Sequence, residues 1–223
     1  MKQFDLQTDT LRELNSYLHG TTDAEIAVSN PGGRHNVAAG LDGDMQVSID
    51  GHVGYYCGGM NKHAQITVAG NAGPGVAENM MSGTIRIKGN ASQYAGASGH
   101  GGTLIIEGDA SSRCGISMKG IDIVVAGDVG HMSGFMAQAG HLVVCGNAGH
   151  HLGDSLYEAV IFVRGTVGEL GADCIEKEMT DEHRATLANL LADSQLDYSV
   201  DEFRRYGSAR KLYHFDIDHA DAY

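Results

Sequence analysis

The sequence predicts an all-β protein, a parallel β-helix of about seven 19-residue coils, and two periodic patterns support this prediction. One is a pair of branched aliphatic residues, two and four positions before the glycine that ends each aliphatic run. This alternation is typical of a strand with one buried face. The pairs run from Val47 and Ile49 to Ile161 and Val163. The other is a glycine that closes each aliphatic run once every 19 residues. These marker glycines are Gly51, Gly70, Gly89, Gly108, Gly127, Gly146 and Gly165.

A short strand that recurs at a fixed period buries its apolar face only by stacking on its own copies, so each repeat forms one turn of a solenoid. Small residues recur three and seven positions after each marker, as Gly54 and Gly58 do, and they fit sharp turns or close backbone approach. The chain holds 32 glycines in 223 residues. Their spacing indicates rigid corners, and it excludes collagen and a flexible linker.

Two other solenoids fit the pattern less well. Left-handed hexapeptide helices have coils of about 18 residues with a six-residue subperiod, and no such subperiod is present. Calcium-binding rolls need recurrent aspartate, whereas the residue after the marker is acidic only at Asp109 and Asp128.

The two ends depart from the repeat and define the domain organisation. Residues 1–42 are predicted as an N-terminal capping segment, residues 43–170 as the β-helix, and residues 171–223 as a C-terminal helix with an extended tail. Thr10 begins a capping-box sequence for one helix, and Thr180 fits the N-cap of a second. We expect these short helices to cap the exposed strand edges at both ends.

Composition limits the classes of function. The 15 basic and 28 acidic residues give a net charge of −13, which argues against general affinity for nucleic acid or anionic membranes. The first five residues lack the apolar run of a signal peptide, and no aliphatic run is long enough to span a bilayer. We therefore expect a cytoplasmic protein.

Few residues suggest chemistry of their own. Cys57 and Cys114 share a coil position but lie three coils apart, and no Cys-x-x-Cys spacing occurs. We therefore expect reduced thiols and no metal centre. His131 and His150 occupy one position of adjacent coils and, with His151, form either a metal site or, as we favour, a polar surface ladder.

Partner contacts are considered at three places, of which the second and third are expected to make them. One group of methionines either fills the core or forms an apolar surface for another protein. This group consists of Met60, Met80, Met81, Met118, Met132 and Met136. A second place is the corner that carries Arg113 and Lys119.

The third place is the tail from residue 198, which combines aromatic and basic residues. In an acidic protein, such a tail fits a neighbouring acidic subunit better than RNA. The tail residues expected to make contacts are Arg204, Arg205, Tyr206, Arg210, Lys211 and Tyr213. Alternation of Tyr213, Phe215 and Ile217 suggests a strand that adds to a sheet edge.

Several segments carry a resemblance to a known family. Residues 70–77 and 111–120 resemble the GXGXG β-helix of the glutamate synthase family, which also occurs in the C subunit of formylmethanofuran dehydrogenase. Residues 54–61, 171–178 and 205–213 are similar to the stand-alone GXGXG subunit of N-methylglutamate synthases, or methylamine–glutamate N-methyltransferases. The similarity extends over essentially the whole chain.

The resemblance implies a right-handed β-helix that serves as a non-catalytic scaffold in a hetero-oligomer. One partner would be an amidotransferase-like subunit, and another an FMN-binding, glutamate-synthase-like subunit with an iron–sulfur cluster. This chain would need no cofactor of its own, and no catalytic, cofactor-binding or metal-binding residue is implied in it. The sequence agrees, because an amidotransferase of this type needs an N-terminal cysteine, whereas residue 2 is Lys2 and the first cysteine is Cys57.

The complex so implied converts methylamine and glutamate to N-methylglutamate and ammonia. Two other assignments stay open at this point. One is a β-helix subunit of a different complex, of glutamate synthase or formylmethanofuran dehydrogenase type. The other is a general interaction scaffold outside amino-acid metabolism.

Overall fold

The computed structural model, which describes residues 1–209, confirms the predicted parallel β-helix. Its strands are β1 (Lys2–Asp5), β2 (Glu25–Ser29), β3 (Gln46–Asp50), β4 (Gln65–Val68), β5 (Thr84–Ile87), β6 (Thr103–Ile106), β7 (Lys119–Val125), β8 (Ala139–Val144), β9 (Val160–Val163), β10 (Cys174–Lys177) and β11 (Arg204–Ser208). Its α-helices are α1 (Leu11–Gly20) and α2 (Asp181–Ser194), and one 3-10 turn spans Val200–Glu202. All eleven strands form one sheet, in the order β1-β2-β3-β4-β5-β6-β7-β8-β9-β11-β10. Neither helix is long and apolar enough to cross a membrane.

The inward-facing aliphatic residues fill one continuous core. Every predicted pair, from Val47 and Ile49 to Ile161 and Val163, is at most 1% exposed. A second ladder of single parallel bridges lies two residues after each marker and begins at Val53. Burying one such aliphatic side chain contributes roughly 1.5–3 kcal/mol, so the stacked coils stabilise one another mainly through this core.

The N-terminal capping segment holds α1 and also adds two strands to the sheet. β1 pairs in parallel with β2, and β2 with β3. Helix α1 begins at a capping box in which Thr10 and Glu13 each accept the other's backbone N–H. The Asn15 side chain donates to the Asn36 carbonyl at 2.8 Å and accepts from the Ala38 amide at 3.1 Å. Helix α1 therefore caps backbone groups of a corner at the N-terminal end of the solenoid, while β1 forms the edge of the sheet there.

In the six coils that follow the markers from Gly51 to Gly146, three positions of the corner adopt left-handed backbone conformations. They lie five, seven and nine residues after the marker, as Gly58 (φ 63°) and Met60 (φ 57°) do at the last two of these. The position seven after the marker is the predicted small-residue column, where Ala77 (φ 59°) replaces the glycine of the other coils. The amides of these residues bond alternately to both neighbouring coils: Gly58 donates to the Val37 carbonyl and Met60 to the Glu78 carbonyl.

Only Gly51 among the marker glycines has a positive φ, so a left-handed backbone does not explain this column of glycines. The glycines are required instead because neighbouring coils approach each other closely at this position. Side chains that follow the markers form a ladder between coils. The Asp109 amide donates to Asn90 Oδ1 at 2.9 Å, and the Asp128 amide donates to Asp109 Oδ1 at 2.8 Å. A Cβ at Gly127 would lie 2.1 Å from Asp109 Oδ1. The ladder therefore occupies the space that a side chain at the marker would need.

Helix α2 forms where the sequence predicts a helix, but it packs on the outer face of the sheet and not over its end. There it contributes to a second buried cluster, which consists of Val124, Val143, Cys145, Phe162, Leu187, Leu190, Leu191 and Phe203. Arg86 donates from its two Nη atoms to the Ser194 carbonyl, at 3.2 and 3.3 Å, and so holds the last turn of α2. Apolar residues on the outer face explain this position, because the helix removes them from water.

The C-terminal edge of the sheet is covered by strands instead. β11 pairs antiparallel with β9, and β10 pairs antiparallel with β11. A strand edge carries unpaired backbone N–H and C=O groups, which another strand satisfies and the side of a helix does not. This requirement explains why strands, and not the predicted helix, cover the C-terminal edge of the sheet.

Candidate partner interface

The four thiols lie inside the fold. Cys57 and Cys114 are fully buried in the core, and burial raises the pKa of each to about 12. Cys145 lies in the cluster under α2, where burial raises its pKa to about 12. Burial also raises the pKa of Cys174 to about 11, and the negative charge of Asp154 adds to this shift. Because the thiolate is the reactive form, these residues are held in their unreactive state.

We predict that native protein reacts with the thiol reagent DTNB at none of its four cysteines within minutes at about pH 8, because each thiol is protonated and buried. Unfolding in guanidinium returns the thiol pKa toward its ordinary value of about 8.5. The reaction, followed by absorbance, should then rise to four equivalents. One fast equivalent in the native protein would contradict the buried position of that thiol.

The histidines of the predicted ladder lie together at one corner. The rings of His131 and His151 meet edge to face with centroids 5.2 Å apart, and the His150 ring lies 6.4 Å from that of His151. Among residues 1–209, no group of three or more His, Cys, Asp or Glu side chains is placed to hold a metal ion. Two of the rings are largely exposed, so these histidines form a polar surface of the corner.

The basic residues expected to contact a partner are partly engaged within the chain. Arg204 donates to the Gly165 carbonyl at 3.0 Å, and Arg205 Nε donates to the Glu178 carbonyl at 2.7 Å. Tyr206 is only 2% exposed, because its ring joins the core below β11. These three residues therefore anchor β11 to the solenoid.

The other predicted contacts are distributed differently. Lys119 is exposed, and Arg113 is half-buried with its Nη2 4.0 Å from Met132 Sδ. Their contact with a partner stays a prediction. The remaining expected contacts lie outside the described residues, as does the strand expected from the alternation in the tail: they are Arg210, Lys211, Tyr213, Phe215 and Ile217.

The methionine group divides between core and surface. Met80 and Met118, ten residues after their markers, are fully buried, whereas Met60, Met81 and Met136 are 49%, 44% and 38% exposed. Positions nine and eleven after the marker point outward, while position ten points inward. Met80 and Met118 therefore fill the core, whereas Met60, Met81 and Met136 reach the surface, and contact of these three with another protein stays a prediction.

Large exposed side chains of the corners occur in two groups of neighbouring coils. The N-terminal patch consists of Tyr55, Met60 and Met81, and the C-terminal patch consists of Met136 and Tyr157. Sequence reasoning missed both tyrosines, although each lies at a coil position whose other members are mostly polar. Exposed aromatic and methionine side chains on a rigid wall are typical of protein-binding surfaces. These patches are the candidate interface.

Comparison with known proteins connects the chain to a family. No protein-family model matches its sequence. It is 62% identical, over 228 aligned positions, to a protein named Protein GlxC from Rhizobium meliloti (strain 1021), and the alignment covers 100% of both chains. An identity this high along the full length is not reached by unrelated chains. The chain belongs to the family of Protein GlxC.

Proposed function

We propose that the chain is a non-catalytic scaffold subunit of a glutamate-synthase-like complex. One contrast carries the proposal: the thiols are buried and protonated, whereas Tyr55, Met60 and Met81 are exposed on a rigid corner. A solenoid built in this way offers surfaces to other proteins more readily than groups for chemistry. Its stacked coils would hold partner subunits at fixed positions.

The finer assignment is to N-methylglutamate synthase, and it is supported by the similarity of residues 54–61, 171–178 and 205–213 to the GXGXG subunit of those enzymes. In such a complex, an amidotransferase-like subunit and a subunit with FMN and an iron–sulfur cluster carry the chemistry. Residues 54–61 include Tyr55 and Met60 of the N-terminal patch. Residues 54–61 therefore support the assignment and also form part of the candidate interface.

A pull-down from native extract tests the proposal. Affinity-tagged full-length chain should recover two further polypeptides and a flavin absorbance spectrum, and the eluate should form N-methylglutamate from methylamine and glutamate. Wild-type chain that elutes alone and colourless would overturn the proposal. Recovery of a flavoprotein without methylamine-dependent activity would overturn only the finer assignment.

Two matched variants locate the interface in the same experiment. Met60→Lys should lower flavoprotein recovery about ten-fold, since loss of one well-placed apolar contact and burial of a new charge remove more than 1 kcal/mol of binding free energy. Ser98→Lys occupies the same position two coils away, in the polar stretch between the patches. It should leave recovery unchanged. Equal recovery with both variants would exclude the N-terminal patch from the interface.

A further inference from the structure

Beside the N-terminal patch, a tyrosine and a glutamate converge above a glycine. Gly75 (φ 69°) has no side chain at the coil position where its neighbours carry Tyr56 and Tyr94. A Cβ at Gly75 would lie 2.7 Å from Glu78 Oε2 and 3.4 Å from Tyr55 Cε2. The carboxylate and the Tyr55 ring therefore border the same small space. We call Tyr55, Gly75 and Glu78 the Glu78 cradle.

The Tyr55 ring is held by its neighbours. It stacks on Tyr56 with ring centroids 5.4 Å apart, and the His35 ring meets it edge to face at 6.3 Å. The Tyr55 amide also donates to His35 Nδ1 at 2.9 Å. The residue is nevertheless 45% exposed. It therefore presents an ordered aromatic surface to an incoming group.

The Glu78 carboxylate faces this ring without a counter-charge. Within residues 1–209 it makes no ion pair and accepts no hydrogen bond, and the residue is half-buried. Burial raises the pKa of Glu78, and no cation offsets that effect. The corner lysine two residues after Met60, Lys62, is already paired with Asp42 at 2.6 Å. A cation supplied by a partner would recover the free energy that this unpaired carboxylate costs.

We propose that the Glu78 cradle binds the guanidinium group of an arginine that a partner protein presents. A guanidinium donates two parallel hydrogen bonds to a carboxylate and stacks on an aromatic ring at the same time. A lysine ammonium offers a point charge and cannot use the cradle in both ways. Met60 lies next to the cradle, since its amide donates to the Glu78 carbonyl at 2.9 Å. Its exposed side chain would exclude water around the contact.

The inference rests on the proposed function only for the identity of the partner, so the cradle is tested first on the isolated full-length chain. The probe is N-acetyl-arginine methylamide, and the neutral, nearly isosteric N-acetyl-citrulline methylamide is the control. Methyl NMR of methionine-labelled protein should show saturable shifts of the Met60 signal, with a Kd of about millimolar for so small a ligand. The Met136 signal, on the other patch, should not move.

Matched variants assign the effect to the carboxylate. Glu78→Gln should weaken binding of the arginine probe about ten-fold, because hydrogen bonds to a charged group are lost. Glu25→Gln removes an exposed carboxylate on β2 and should change nothing. Tyr55→Leu should weaken binding about three-fold. Equal shifts with arginine and citrulline probes, or unchanged binding in Glu78→Gln, would overturn the cradle.

The pull-down then separates the two proposals. A Glu78→Gln bait should recover several-fold less flavoprotein than wild type. Equal recovery by both baits would overturn arginine docking by that partner and leave the proposed function intact. A wild-type bait that binds the arginine probe but recovers no flavoprotein would overturn the proposed function and leave the cradle intact.

Discussion

Gly146→Ala should lower the free energy of unfolding by about 2–4 kcal/mol, because no room exists for a methyl group between these coils. A Cβ at Gly146 would lie 2.3 Å from Asp128 Oδ1 and 2.6 Å from the carbonyl carbon and oxygen of Gly127. The Gly127 carbonyl accepts the Gly146 amide at 2.9 Å. Its backbone therefore cannot withdraw without breaking the hydrogen bond that joins the two coils.

Urea unfolding of wild type and variant, followed by circular dichroism, measures this loss. Gly20→Ala is the control: Gly20 ends α1, and a Cβ there would meet nothing within 4 Å. This variant should be neutral or more stable by up to about 1 kcal/mol, as alanine favours a helix over glycine. An unchanged unfolding midpoint in Gly146→Ala would show that the coils separate easily, contrary to the packing described.

The regular coils are predictable because the inward-facing residues keep one register. From β3 to β9, these residues pair with the residue 19 positions away, so every branched residue two or four before a marker faces the core. The one shift is at the start of β7, where Lys119 pairs with Ala139. The two N-terminal strands carry no such signal. Ile26 pairs with Val47, and Lys2 pairs with Ile26, at separations that differ from the repeat and from each other. The insertion of α1 between β1 and β2 removes the periodicity on which prediction depends.

The sequence also carries a signal for the position of α2 on the outer face of the sheet. Three residues before the marker, outward-facing side chains are polar in early coils, as at Thr67 and Arg86, and apolar in later ones, as at Val124 and Phe162. A sheet that is apolar on both faces needs a cover on its outer face. That change marks where α2 lies, and it explains why the helix is unavailable to close the C-terminal end.

The candidate interface was predictable only in part. The coil position alone separates the exposed Met60 from the buried Met80, once the inward direction of each position is known. The Glu78 cradle was not predictable, because it depends on side chains from two coils that lean over Gly75. Periodicity places residues in columns, but it does not say where flexible side chains within a column point.

Phe162→Ala should lower the free energy of unfolding by about 3–5 kcal/mol, because it removes a large, fully buried side chain from between the sheet and α2. Phe162 is 0% exposed, and its outer-face neighbour on β8 is Val143. Its ring also lies 6.4 Å from that of His183 in the first turn of α2. The cavity would therefore weaken the packing of α2 against the outer face of β8 and β9.

Hydrogen exchange distinguishes weaker packing of α2 on the sheet from destabilisation of the whole protein. In Phe162→Ala, amides of α2 should exchange faster than those of β4, because the helix loses its main apolar contact while the inner core stays packed. Thr67→Ala is the matched control, since it changes the same coil position on the polar half of the sheet. It should cost less than about 0.5 kcal/mol and leave α2 exchange unchanged. Uniformly faster exchange throughout Phe162→Ala would mean that α2 and the coils unfold as one unit. The outer-face cluster would then be an integral part of the solenoid core, with no separately detachable helix.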